Sequence, residues 1–223
     1  MTQWLVLPSP FLGTAAYAPL VAALGHEGDD SSVAMIPEPL SAGRLMDLWA
    51  ETAAGLGDVV LVPHSNAGHL APGVSASCGG LPIVFTDAAL PASFGASALV
   101  PPGLLSMLAD LVDADGLLPA WTRWWPREDV APTLPGDWFD RIELVVPQVP
   151  FAYAEETITV PDDWERGRCG YLAFGAETYA EELARAGDLG WPMQVLADTR
   201  HLHCLTEPDE TADAIRSVRA LVG

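Results

Sequence analysis

The apolar positions of this chain fall into short unbroken runs separated by stretches of helical period. Trp4-Leu5-Val6-Leu7-Pro8 reads as a buried strand, followed by the loop Ser9-Pro10-Phe11-Leu12-Gly13-Thr14 and an amphipathic helix from about Ala15 to Leu24. A second strand is expected over Ser32 to Pro37. The helix predicted from Leu40 to Leu56 carries Leu45, Leu48, Trp49 and Ala53 along one face. Val59 to Val62 forms the third strand, and Leu81 to Thr86, ending at Asp87, the fourth. Strands with no polar alternation suit burial on both faces. The pattern therefore predicts the α/β class, with a mostly parallel central sheet and helices on both sides.

The rhythm breaks between about residues 91 and 163. That stretch is rich in proline and tryptophan, with a helix expected at Pro102 to Val112 and the cluster Trp121-Thr122-Arg123-Trp124-Trp125-Pro126. Alternation resumes with strands at Cys169 to Phe174 and Met193 to Leu196. A helix near Tyr179 to Ala186 lies between them, and a closing helix runs from about Pro208 to Leu221. No internal repeat or linker divides the chain. The expectation is one domain over 1–223 with a helical cap or lid inserted at about 91–163.

Composition narrows the possible partners. The formal charge is -20, from 30 acidic and 10 basic residues, and all the basic ones are arginine. Without a basic stripe, nucleic acid and anionic membranes are disfavoured as partners. Half the residues are hydrophobic, enough for a sizeable core. Cys78, Cys169 and Cys204 show no metal-ligand spacing and leave one thiol over in any pairing, so a reducing, cytoplasmic setting is expected. Trp4 to Ala18 lacks the positive n-region of a secretion signal and is broken by Pro8 and Pro10.

Candidate chemistry gathers at two strand ends. The run Asp58-Val59-Val60-Leu61-Val62 leads straight into Pro63-His64-Ser65-Asn66-Ala67-Gly68, a serine among small residues where a strand turns into a helix. After the last strand comes His201-Leu202-His203-Cys204-Leu205-Thr206-Glu207-Pro208. The first segment resembles the nucleophile elbow of the α/β-hydrolase superfamily, usually Gly-x-Ser-x-Gly, with Pro63 in place of the first glycine and Gly68 one residue late. The second resembles the common ending of that superfamily, in which histidine is followed by leucine four residues on and proline seven on. That spacing selects His201 over His203, which would face the cap or its own helix. The resemblance spans nearly the whole chain.

The resemblance implies an ester or thioester hydrolase acting on a hydrophobic small molecule, with Ser65 as nucleophile and His201 as base. Two carboxylates compete to orient the imidazole. Glu177, in Phe174-Gly175-Ala176-Glu177-Thr178-Tyr179, follows the next-to-last strand but sits one place early. Asp87 ends the strand beside the serine strand, the position haloalkane dehalogenases draw on, and is preferred. The same resemblance assigns the oxyanion hole to the backbone N–H groups of Phe11 and Asn66. Leu12, Trp121, Trp124 and Trp125 are candidate substrate contacts, although cap packing also accounts for the tryptophans. His64 is read as packing, His69 as lying on the buried side of its helix and His26 as surface. Glu155 and Glu156 should sit where the cap returns to the sheet. No cofactor or metal is expected, and no oligomeric state follows. A lyase or cyclase on the same scaffold, or a binding protein without turnover, stands as the alternative.

Overall fold

In a computed structural model of the protein, which describes residues 2–223, six strands form one all-parallel sheet. They are β1 Gln3–Leu7, β2 Asp30–Val33, β3 Val59–Ser65, β4 Ile83–Ala88, β5 Cys169–Phe174 and β6 Met193–Leu196. Their spatial order is β6-β5-β4-β3-β1-β2. The central strands are buried on both faces, and alternate residues feed two separate cores. Leu5, Leu7, Leu61, Phe85 and Tyr171 point to one side, while Trp4, Val6, Val60, Val62, Val84 and Leu172 point to the other.

Helices cover each face. α1 Ala18–Leu24 buries Leu20, Ala23 and Leu24 in the second core; α2 Ala42–Ala54 buries Leu45, Trp49 and Ala53 in the first. α3 Ala71–Ser77 follows the β3 turn onto the first side. The closing helix Pro208–Leu221 places Ala212, Ile215 and Val218 in the second core. The second strand departs from expectation: it pairs earlier, Gln3 with Asp30 through Val6 with Val33, and leaves the sheet before Pro37. As an edge strand its pairing is set by backbone contact with β1, so the polar Asp30, Ser31 and Ser32 join it.

Between β4 and β5 the chain forms a layer of short helices, the longest Pro102–Ala109, and two small antiparallel pairs, 96–98 with 157–159 and 117–118 with 149–150. Specific polar contacts tie this layer down. Arg185 donates to the Pro91 carbonyl at 2.7 Å and pairs with Glu165 at 2.5 Å, clasping both ends of the segment. Glu156 accepts from the N–H of Ala42 at 2.9 Å, setting a carboxylate at the positive end of α2. The three cysteines are free thiols. Among the described residues no helix is long and apolar enough to cross a membrane.

Candidate active site

The sheet reverses its winding between β1 and β3, since the chain first adds β2 outward and then returns to add β3 on the opposite side. In open α/β sheets ligands bind at the carboxyl ends of the strands flanking such a point. The loop after β1 and the turn after β3 both lie there.

At the end of β3, Ser65 adopts φ 57° and ψ -131°, a left-handed conformation that a side chain normally avoids. Holding it costs on the order of 1–3 kcal/mol, which the surrounding structure must supply. The cause is the sharp return of the chain into the turn Asn66–His69 and then α3. That return brings Gly68 so close to β4 that a Cβ there would overlap the Ala89 carbonyl oxygen. The glycine one residue late in the motif is thus the one the crossing requires. Asn66 is anchored by the overlying layer: its amide donates to Leu99 O at 2.6 Å and its oxygen accepts from the Tyr153 hydroxyl at 2.7 Å.

His201 stands in the loop after β6, and its Nδ1 lies 2.7 Å from Asp87 Oδ2. Asp87 is 1% exposed and itself holds positive φ, 41°, at the end of β4. Its other oxygen accepts the Phe174 N–H at 3.0 Å, so one carboxylate staples β4 to β5 and orients the imidazole. With Nδ1 donating to Asp87, Nε2 is left free to accept a proton. Glu177 is exposed, and among the described residues it makes no hydrogen bond to His201. Of the two carboxylates, Asp87 is the one that meets the histidine.

Ser65 is 9% exposed, and its Oγ is 3.4 Å from the Tyr179 hydroxyl. Among the described residues no hydrogen bond joins Ser65 to His201 directly. Tyr179 packs beside the imidazole, with ring centroids 5.5 Å apart. Burial raises the Tyr179 phenol, so it stays protonated. Sequence reasoning missed this residue, although it lies two places beyond Glu177 in the loop where an acid was sought. In the β1 loop, Leu12 and Gly13 N–H groups both donate to Ser9 O at 3.0 Å, a turn that does not use the Phe11 N–H. The Asn66 N–H opens a helical turn and has no partner within it.

A cavity of about 650 Å³ lies beside the histidine, between the overlying layer and the loops after β5 and β6. Trp121, Trp125, Val130, Leu134 and Phe174 form its apolar wall, with Glu177, Asp198 and Arg200 as polar positions. His201 lines it; Ser65 does not. Two expected substrate contacts lie elsewhere. Leu12 is 2% exposed and belongs to the second core, because the tight Ser9 turn folds it inward. Trp124 is buried against Phe11, centroids 5.0 Å apart, and donates to Pro119 O at 3.0 Å. His203 binds Glu210 of its own following helix at 2.9 Å, and His26 is exposed.

No protein-family model matches the chain, and comparison with curated proteins finds no match. Solved structures do match over nearly its whole length. An extracellular alpha/beta-hydrolase from a Paenibacillus species aligns with TM-score 0.76 at 17% identity, covering 98% of each chain. A bromoperoxidase from Bacillus anthracis aligns at 0.68 and 13%, covering 97% of this chain and 91% of that one. A thermophilic esterase from Thermogutta terrifontis aligns at 0.63 and 16%, over 100% and 91%. The chain has the α/β-hydrolase fold.

Proposed function

We propose that this protein is a serine hydrolase that cleaves an ester or thioester of a hydrophobic small molecule. The observation that carries the reading is the 2.7 Å bond between Asp87 and His201 at the same sheet rim as the strained Ser65. In the proposed reaction His201 Nε2 takes the Ser65 proton as Oγ attacks the carbonyl carbon. The oxyanion forms against the N–H groups of Phe11 and Asn66, each such donor contributing about 3 kcal/mol. The imidazolium, steadied by Asp87, then protonates the departing alcohol or thiol. Water repeats the sequence to release the acid. Trp121 and Trp125 would hold the apolar part of the substrate in the cavity, and the buried layer above would exclude water.

A graded series of p-nitrophenyl esters and acyl thioesters tests this. Turnover is expected to favour apolar acyl groups and to fall about 10⁶-fold in kcat in Ser65→Ala. One observation favours a second reading, that the cavity is lined by His201 and not by Ser65. There His201 would act alone as acid–base catalyst in lyase or cyclase chemistry, and turnover surviving Ser65→Ala would select it.

A further inference from the structure

His64 and Tyr17 are both fully buried. Hydrogen bonds link them to the site on either side. His64 Nε2 lies 3.0 Å from the His201 carbonyl oxygen, His64 Nδ1 lies 2.7 Å from the Tyr17 hydroxyl, and that hydroxyl accepts the Ser9 N–H at 3.0 Å. Each end of this chain is a backbone group whose role cannot change. A carbonyl only accepts, so the His64 proton is on Nε2; Nδ1 then accepts from the Tyr17 O–H, whose oxygen receives the Ser9 N–H. Burial lowers His64 well below the ordinary histidine value, and the neighbouring His201 adds to the effect. Burial likewise raises the Tyr17 phenol. Both groups stay neutral, and the chain keeps a single direction.

The elements it joins are otherwise far apart in sequence. Ser9 O closes the turn that presents Phe11, His64 immediately precedes Ser65, and the His201 carbonyl belongs to the loop bearing the base. The His64 ring also stacks on the His201 ring, centroids 4.7 Å apart at 21°. The imidazole at 201 is therefore held at two places, its ring by Asp87 and its backbone by His64.

We propose that His64 and Tyr17 are positioning residues: a buried relay that sets the base loop against the oxyanion loop beneath the nucleophile, without touching substrate. The inference rests on the reading of Ser65 and His201 as nucleophile and base. Deleting the Tyr17 hydroxyl removes both inner links while leaving Asp87, His201 and the cavity wall unaltered. By analogy with groups that orient metal-ligating histidines, the expected loss is about 10–100-fold in kcat, with KM little moved.

The test has two arms. Nitrogen-15 histidine NMR of the unmodified protein should show His64 as the neutral Nε2–H tautomer, without titration from about pH 5 to about pH 8. An Nδ1–H tautomer, or titration in that window, would overturn the relay whatever the enzyme's activity. In kinetics, Tyr17→Phe and His64→Leu should each lower kcat at near-constant KM. His64→Gln, which can still donate to the His201 carbonyl, should recover part of that loss. Equal losses in Gln and Leu, or a kcat within about twofold of normal in Tyr17→Phe, would also overturn it. Absence of any Ser65-dependent turnover would instead sink the hydrolase reading, and the tautomer would still be decided by NMR.

Discussion

Replacing Asp87 with asparagine changes one atom of a group that accepts from two donors. Oδ1 receives the Phe174 N–H at 3.0 Å and Oδ2 the His201 Nδ1–H at 2.7 Å. An amide has one oxygen, so one of these contacts must become N–H facing N–H. At a site 1% exposed, an unsatisfied pair costs on the order of 1–3 kcal/mol. Only one of the two donors can adapt. The Phe174 N–H belongs to the end of β5 and cannot be removed, whereas the imidazole can move its proton from Nδ1 to Nε2. The amide oxygen therefore turns to Phe174, its NH₂ donates to Nδ1, and Nε2 carries a hydrogen. In that tautomer Nε2 cannot take the serine proton. Asparagine also tolerates the φ of 41°, so the fold should persist. The expected loss is about 10⁴-fold in kcat, or ~5.4 kcal/mol of barrier, with a melting temperature shifted by only a few degrees. The assay is ester turnover alongside circular dichroism, with Glu177→Gln as the companion. A drop in Glu177→Gln with Asp87→Asn nearly unaffected would refute the reasoning.

Other perturbations probe the scaffold and the cavity. Gly68→Ala sets a Cβ against backbone that cannot yield, so urea unfolding should show a loss of about 3 kcal/mol or more; a change under about 1 kcal/mol contradicts the close crossing. His69 is pushed down to about 4 by burial, and its Nδ1 has no hydrogen-bond partner among the described residues. Its unfolded value is about 6.5, so the unfolded chain binds the proton first. Stability is complete above about pH 6.5 and is lost as pH falls toward 4, by ~3 kcal/mol. His69→Phe should flatten the stability–pH curve by that amount over that window, and an unchanged curve would contradict the assignment. Trp125→Ala should raise KM about fivefold for long acyl chains and leave short ones alone, while Trp124→Ala should instead destabilise by about 3–5 kcal/mol. Equal KM effects across chain lengths would place the substrate elsewhere.

Much of this architecture is legible in the chain because strands buried on two faces must be continuously apolar. Cys169–Phe174 could be bounded from that alone, and Pro208–Leu221 from its helical period and N-terminal proline. Met193–Leu196 is an edge strand with Gln194 in its run and Met193 and Val195 exposed, so only its place in the strand–helix alternation marks it. The turn at Ser65 and the histidine at 201 stand out through their resemblance to α/β-hydrolase motifs, and the close approach at Gly68 explains why a small residue is needed there. What spacing does not reveal is direction. Register favours Asp87 over Glu177 in sequence, and the 2.7 Å contact of Asp87 with His201 Nδ1, steadied by its second bond to Phe174 N–H, is what spacing alone does not show. Leu12 and Trp124 are apolar residues in loops, where nothing in the pattern says whether they face a cavity or a core. Tyr179 lies in the loop after β5, and its hydroxyl comes within 3.4 Å of Ser65 Oγ, a contact that no spacing in the sequence announces. In the layer from 91 to 163 the helix at Pro102–Ala109 is long enough to be expected from sequence, whereas the other helices and the two-stranded pairs are too short to leave a period.

If Ser65 is the nucleophile, its hydroxyl takes up an acyl group from an ester or a phosphonyl group from a fluorophosphonate. Intact and peptide mass spectrometry after brief exposure to a fluorophosphonate or a p-nitrophenyl ester reads this directly. One adduct per chain is expected, on the peptide containing Ser65, lost in Ser65→Ala and strongly slowed in His201→Ala. A folded, unmodified protein, or an adduct that persists in Ser65→Ala, would contradict it.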